Sequence, residues 1–190
     1  PESEQSAIGH GITMHRPLRR KRVAFHDMEL EAHFVSGTPA DSVKLGMDFI
    51  LKERPDVIIS GMNRGENVGM DIFYSGTVSA AIEGSFYKVK SIAVSYSDFE
   101  MEHAERAAEI GAAVVKQVLN WTEFPAGGIV NINIPKLKSG SAQPEIRITG
   151  LGEKKYKNNF EERVDPRGNF YYWLVGDVDM DTVPAPGTDV

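Results

Sequence analysis

Ser75, Gly76 and Thr77 stand in a row where a glycine-rich loop gives way to a helical pattern. A helix start offers an anion free N–H groups and a partial positive charge, and Gly76 has no Cβ to hold a phosphate away from the backbone. Just upstream, "PDVIIS" (55–60) is a short β-branched run of the kind that is buried on both faces of a parallel sheet. The loop "GMNRGENVGMDIFY" (61–74) thus leaves the carboxyl end of a buried strand and runs into a helix. Open α/β sheets bind ligands at that place. A long turn would use the same residues, because Asn and Gly tolerate positive φ. The residues alone leave both readings open.

The chemistry can be narrowed by what is missing. The loop has neither the GxxxxGK pattern of a nucleotide-triphosphate cradle nor a clean GxGxxG of a dinucleotide site. There is no cysteine and no HExxH, so thiolate metal sites and disulfides are excluded. The polar groups at hand are Ser6, Ser60, Asn63, Asn67, Asp71, Ser75 and Thr77, all oxygen donors or amides. Such ligands suit Mg²⁺, Mn²⁺ or Ca²⁺. A hard cation beside a phosphate cradle points to metal-assisted hydrolysis of a phosphate ester. Arg64 could clamp a phosphate and His10 could move a proton, but a structural or surface role suits each as well. Tyr156, Tyr171, Tyr172 and Trp173 could stack a base, yet cross-strand packing or an interface explains them better.

These groups need a scaffold, and the pattern supplies one. "HGITMH" (10–15) alternates and reads as a strand, as does "EAHFVS" (31–36). The basic run "RPLRRKR" (16–22) between them reads as a solvated turn. Thr38, Pro39 and Asp41 mark a helix start, and Val43, Met47, Ile50 and Leu51 give its buried stripe. A helix over 76–87 and a strand over 91–96 complete a βαβ unit, for which a right-handed crossover is the expectation. A long amphipathic helix (101–121), carrying a surface His103, precedes a strand at 127–135. Beyond it "EIRITGL" alternates, and "NFEERVDPRGNFYYWLV" (159–175) is a hairpin with its turn at Asp165–Asn169. The acidic, Pro-rich tail reads as a solvated loop.

The 190 residues carry a net charge of −6, with a pI near 5.4. That argues against stable nucleic-acid binding, which calls for a basic surface. No apolar run approaches membrane-spanning length. The chain opens in a loop without Met and stops at "PAPGTDV", giving the expectation of a piece trimmed from a longer protein.

"PESEQSAIGHGITMHRPLR", "SGTPADSVKLG", "PDVIISGMNRGENVGMDIFYSGTVSAAIEG" and "SIAVS" follow one another in this order. Together they closely resemble the SurE (survival protein E) family of metal-dependent 5′-nucleotidases, also described as acid phosphatases. "NFEERVDPRGNFYYWLVGD" resembles that family's hairpin region, so the resemblance covers nearly the whole chain. It implies a divalent metal, Mg²⁺ or Mn²⁺, held by two adjacent aspartates, a serine and an asparagine. The serine matches Ser6 and the asparagine Asn63, while Ser75, Gly76 and Thr77 match the segment that holds the phosphate. The family's aspartates sit in a "TNDDG" motif that this sequence does not contain, and the family continues beyond "GTDV". No residue is assigned as the general acid.

The resulting expectation is a three-layer α/β/α, doubly wound, Rossmann-like fold with a mostly parallel sheet and a hairpin-bearing C-terminal extension. Residues 1–135 form the core, lacking the family's first strand and helix, and 136–190 the extension used in assembly. The implied function is hydrolysis of nucleoside 5′-monophosphates and other phosphate monoesters by a cytoplasmic homodimer or homotetramer, without a membrane or nucleic-acid partner. The alternative is a non-catalytic fragment that keeps the cradle as an anion-binding or assembly module.

Overall fold

The apolar runs near 58, 93 and 131 lie side by side in one sheet. In a computed structural model, which describes residues 6–25, 28–140, 142, 144–154, 156–157, 160–178 and 185–190, they form β3 (Val57–Arg64), β4 (Lys90–Tyr96) and β5 (Ile129–Ile134). The three are parallel, in the order β3-β4-β5. They belong to the first of two compact units, Pro1–Asn67 with Ile72–Glu145. The second unit is Val68–Asp71 with Ile146–Val190.

Helix α2 (Gly76–Phe86) links β3 to β4, and α3 (Ala104–Leu119) links β4 to β5. Side chains alternate along β4 and sort the helices onto opposite faces. Ile92, Val94 and Tyr96 pack with Ala107, Val115 and Val118 of α3. Ala93, facing the other way, packs with Val78 and Ala81 of α2. Strand β4 is therefore covered on both sides, whereas β3, expected to be buried on both faces, is only half-buried and leaves Ile59 exposed. Successive strands step in one direction across the sheet, so helices on opposite faces demand crossovers of opposite hand. One of the two departs from the right-handed rule. Gly84 lets α2 approach closely: a Cβ there would lie 2.6 Å from Ser91 Oγ and 2.7 Å from Ile58 Cδ1.

Ahead of the sheet, β1 (Arg20–Phe25) and β2 (Met28–Val35) pair antiparallel. The basic run is solvated, as expected, but Arg20–Arg22 are strand rather than turn: Arg20 pairs with Val35 and Arg22 with His33. A short two-stranded ribbon exposes long cationic side chains at no cost, so the charge pattern hid the strand. The stretch 10–15 is not a strand. Asp41 replaces the ladder there, accepting from Thr13 N (2.9 Å) and Thr13 Oγ1 (2.6 Å), while Thr38 Oγ1 donates to Gly11 O (2.7 Å). Asp41 also closes the capping box of α1 (Pro39–Leu45) with Thr38. Burial alone would raise the Asp41 pKa, but the hydrogen bonds from Thr13 and Thr38 outweigh it and hold the carboxyl below 3.8. The helix does not run on through the expected stripe to Leu51, which is exposed. It loosens into a π-turn over Gly46–Ile50.

In the second unit β6 (Tyr156–Lys157) pairs antiparallel with β9 (Asp177–Val178). The expected hairpin forms from β7 (Phe160–Val164) and β8 (Phe170–Leu174). Asp165 builds its turn, accepting from Arg167 N (2.8 Å) and Asn169 N (2.9 Å). "EIRITGL" contributes one isolated bridge, Gly150 to Thr188, instead of a strand. Residues 1–5 and 179–184, including part of the acidic tail, lie outside the described residues. Among the described residues no helix is long and apolar enough to cross a membrane.

Candidate phosphate and metal site

β3 does not run straight into its loop. Its pairing with β4 slips between Gly61 and Asn63. Gly61 sits at φ +129, where a Cβ would come within 2.2 Å of Val94 O, so no other residue fits. A slip of this kind re-aims the next side chain. Here it presents Asn63 toward the start of α2. Asn63 Nδ2 donates to Gly65 O (2.9 Å) and Arg64 O (3.1 Å). With the amide nitrogen so occupied, Oδ1 faces the other way and accepts from Thr77 Oγ1 (3.1 Å).

Ser75 is the N-cap of α2, with extended backbone (φ −75, ψ 122) and an Oγ that accepts from Val78 N (3.2 Å). Its carbonyl accepts from Ser79 N (3.0 Å) and Ser79 Oγ (2.7 Å). The cap uses one lone pair of the hydroxyl and leaves its proton to donate. Gly76 and Thr77 follow, and first-turn N–H groups have no partner inside a helix. Asn63, Ser75, Gly76 and Thr77 thus form one corner: an amide oxygen, two hydroxyls and two backbone donors at the positive end of an eleven-residue helix.

Ser6 is exposed, and the segment that follows it is tied to the residue before the cap. Gly9 N donates to Tyr74 O (2.9 Å), next to the cap. His10 Nε2 lies 2.8 Å from Glu83 Oε2, and its ring stacks on Phe86, both on α2. Glu83 is only 6% exposed, so His10 is the anchor that keeps this carboxylate paired. Arg64 is engaged elsewhere, donating to Phe99 O through Nε (3.2 Å) and Nη2 (2.9 Å). Asp71 belongs to the second unit, where it meets Tyr156 and Lys154 Nζ (3.8 Å). Asn67 is buried against Ser95, Asn131 and Asn133. None of these three partners stands out as functional in a reading of the sequence.

The donors present are neutral hard oxygens, the chemistry a divalent cation such as Mg²⁺ or Mn²⁺ accepts. Asn63 Oδ1 keeps a second lone pair beyond the one that Thr77 occupies. Among the described residues no three His, Asp or Glu side chains converge, so these groups fit the uncharged part of such a site.

Residues 1–158 match the family described as Survival protein SurE. A protein of Alkaliphilus metalliredigens named 5′-nucleotidase SurE is 45% identical over 177 residues, which are 93% of this chain and 69% of that one. One of the same name from Natranaerobius thermophilus is 44% identical over 185 residues, 96% of this chain and 71% of that protein. The crystal structure of the SurE protein from Aquifex aeolicus superposes with a TM-score of 0.78 at 37% identity, covering 97% of this chain and 72% of the other. The Rossmann-like fold is thus shared with the Aquifex aeolicus protein, and the chain is a member of the SurE family.

Proposed function

We propose that the chain hydrolyses phosphate monoesters, chiefly nucleoside 5′-monophosphates, as a SurE-type 5′-nucleotidase. The carrying observation is the corner at the start of α2, where Thr77 Oγ1 meets Asn63 Oδ1 and Ser75 caps the helix. Relatives named 5′-nucleotidase at 44–45% identity support the same reading. The alternative, a non-catalytic anion-binding or assembly module, finds no support in those relatives.

In this reading the N–H groups of Gly76 and Thr77 and the Ser75 hydroxyl donate to the phosphoryl oxygens. Their geometry is fixed before substrate arrives, so stabilising charge in the transition state needs no reorganisation. The same donors fix the ester oxygen relative to the attacking water. Ser6 Oγ and Asn63 Oδ1 would hold the divalent cation, Mg²⁺ or Mn²⁺, together with the aspartate pair that the family resemblance implies and these residues do not include. When bound, the cation would supply Lewis-acid charge neutralisation at the phosphoryl group. Thr77, bonded to Asn63, ties the phosphate side of the site to the metal side.

The reading extends to a cytoplasmic homodimer or homotetramer in which the exposed aromatic hairpin supplies subunit contacts. The test is phosphate release by the native polypeptide carrying this sequence. Turnover of 5′-AMP is expected to exceed that of 3′-AMP at least about tenfold, the discrimination that one well-placed contact provides. EDTA should abolish it and Mn²⁺ restore it. Equal turnover of the two isomers, or activity indifferent to EDTA, would contradict the proposal.

A further inference from the structure

Strand β5 is half-buried and alternates: "IVNINI" sets Ile132 and Ile134 on one face and Asn131 and Asn133 on the other. That face is shared with Ala93 and Ser95 of β4, the side on which α2 packs. Both amides are half-buried; polar groups drawn out of water cost free energy unless they are paired, and both turn to one residue of the glycine-rich loop. Asn133 Oδ1 accepts from Asn67 N (2.8 Å), and Asn133 Nδ2 donates to Asn67 O (2.9 Å). Asn131 Nδ2 donates to the same carbonyl (2.8 Å), and Asn67 Nδ2 donates to Ser95 Oγ (2.7 Å). The Asn133 carboxamide therefore stands in for a neighbouring strand, serving one peptide's donor and acceptor at once. A carboxylate offers no donor and a hydrocarbon neither group. Asn131, by contrast, uses one end only, and its Oδ1 has no partner among the described residues.

We propose that Asn133 is a positioning residue for phosphoryl transfer, acting through Asn67 and Gly65 to aim the Asn63 amide at the phosphate cradle. Two residues before Asn67, Gly65 N donates to Tyr96 O (2.8 Å), so the segment 65–67 is fixed to the sheet at both ends. Gly65 O in turn receives Asn63 Nδ2 (2.9 Å). That contact, the shorter of the two that Nδ2 makes, helps set which end of the Asn63 amide faces Thr77. If the clamp is released, Gly65 O drifts, the amide loses its orientation and Oδ1 no longer meets Thr77. Asn133 touches neither substrate nor cation, and its influence is geometric.

This inference rests on the phosphatase reading above, and its test separates the two. The native polypeptide and its Asn133→Asp variant are compared by amide hydrogen exchange and by steady-state 5′-AMP hydrolysis with Mn²⁺. Asn133→Asp keeps the shape but sets a carboxylate oxygen against the Asn67 carbonyl. Exchange in residues 63–69 is expected to accelerate while that in α2 stays native. kcat should fall about 100-fold, the cost of roughly 1 Å of misplacement at a reacting centre. KM should stay within about threefold, since the cradle's own donors remain. Faster loop exchange with native kcat would overturn the positioning role, and native exchange would overturn the clamp itself. Should Asn133→Asp fail to fold, Ser95→Ala removes one bond to the same Asn67 and is judged on the same two readouts. If the unsubstituted protein does not turn over 5′-AMP, both the phosphatase reading and this inference fall. If it does, and Asn133→Asp leaves turnover untouched, this inference falls alone.

Discussion

Strand β4 and hairpin β7–β8 are built to opposite specifications. Six of the seven residues of β4 are buried, with Ile92 on one face and Ala93 on the other wholly inaccessible. Every residue of β7 and β8 is exposed, although Phe160, Phe170, Tyr172, Trp173 and Leu174 are among them. The first is stabilised within its own unit by burial on both faces. The second is held by its ladder and by the Asp165 turn, and a lone two-stranded ribbon is marginal in water. Apolar surface of that kind marks a face that something covers. In the proposed function the contrast divides the molecule's tasks: chemistry on the sheet, and association on the exposed ribbon.

The contrast is broken most severely at its buried end. Asn63→Ala removes the amide oxygen that Thr77 engages. It is expected to lower kcat of the native polypeptide about 100-fold, as removing one electrostatic contact at a transition state does, with thermal unfolding unchanged. Unaltered turnover would remove Asn63 from the site. Gly84→Ala, on the α2 face of the sheet, forces a methyl against Ser91 and Ile58. Overpacking there should cost about 1–3 kcal/mol in denaturant unfolding. A neutral result would show that α2 can ride away from the sheet and that the cradle is less fixed than its packing implies.

A smaller effect is expected at the first unit's other polar anchor. Asp41 has its pKa lowered in the folded state, so its contribution is complete above the unfolded value of 3.8 and is lost as pH falls through the lower folded one. Asp41→Asn should cost about 1 kcal/mol at neutral pH, the scale of a lost cap, and should flatten the acid limb of the stability curve below about pH 4. A variant with the native acid limb would show that another carboxylate governs it. At the exposed end the expected change in unfolding is smallest. Replacing Phe170 with Ser and Tyr172 with Lys should reduce particle size in light scattering and leave the unfolding temperature nearly native. Native particle size with a collapsed unfolding temperature would show that the ribbon belongs to a core.

How much of this could be read from the residues follows the same divide. The β-branched runs at 57–60 and 91–96 and the Thr38–Asp41 cap are local signals, and they produced the expected elements. The Asp165–Asn169 turn was equally legible because one side chain builds it. "HGITMH" misled because its alternation answers to side chains from distant helices, Asp41 and Glu83, rather than to a partner strand. The π-turn after Leu45 carries no local mark at all. Within the candidate site, the position of Ser75–Thr77 at a helix start was legible from the loop-to-helix transition, whereas the pairing of Thr77 with Asn63 depends on a slip in the β3–β4 register that sequence does not display. The asparagines of "NINI" were visible as polar residues at alternate positions of a half-buried strand. Their shared target, Asn67, lies more than sixty residues away, and only the fold brings it near.

Whether the corner at the start of α2 is where phosphate sits can be asked directly, without turnover. The native polypeptide, labelled with ¹⁵N, is titrated with inorganic phosphate in the presence of Mg²⁺. The amide resonances of Gly76 and Thr77 are expected to shift more than any others, and Asn63→Ala should weaken the response about tenfold or more, the scale of one charge-assisted contact. Largest shifts elsewhere in the chain, with Gly76 and Thr77 unmoved, would contradict the assignment of this helix start as the phosphate site.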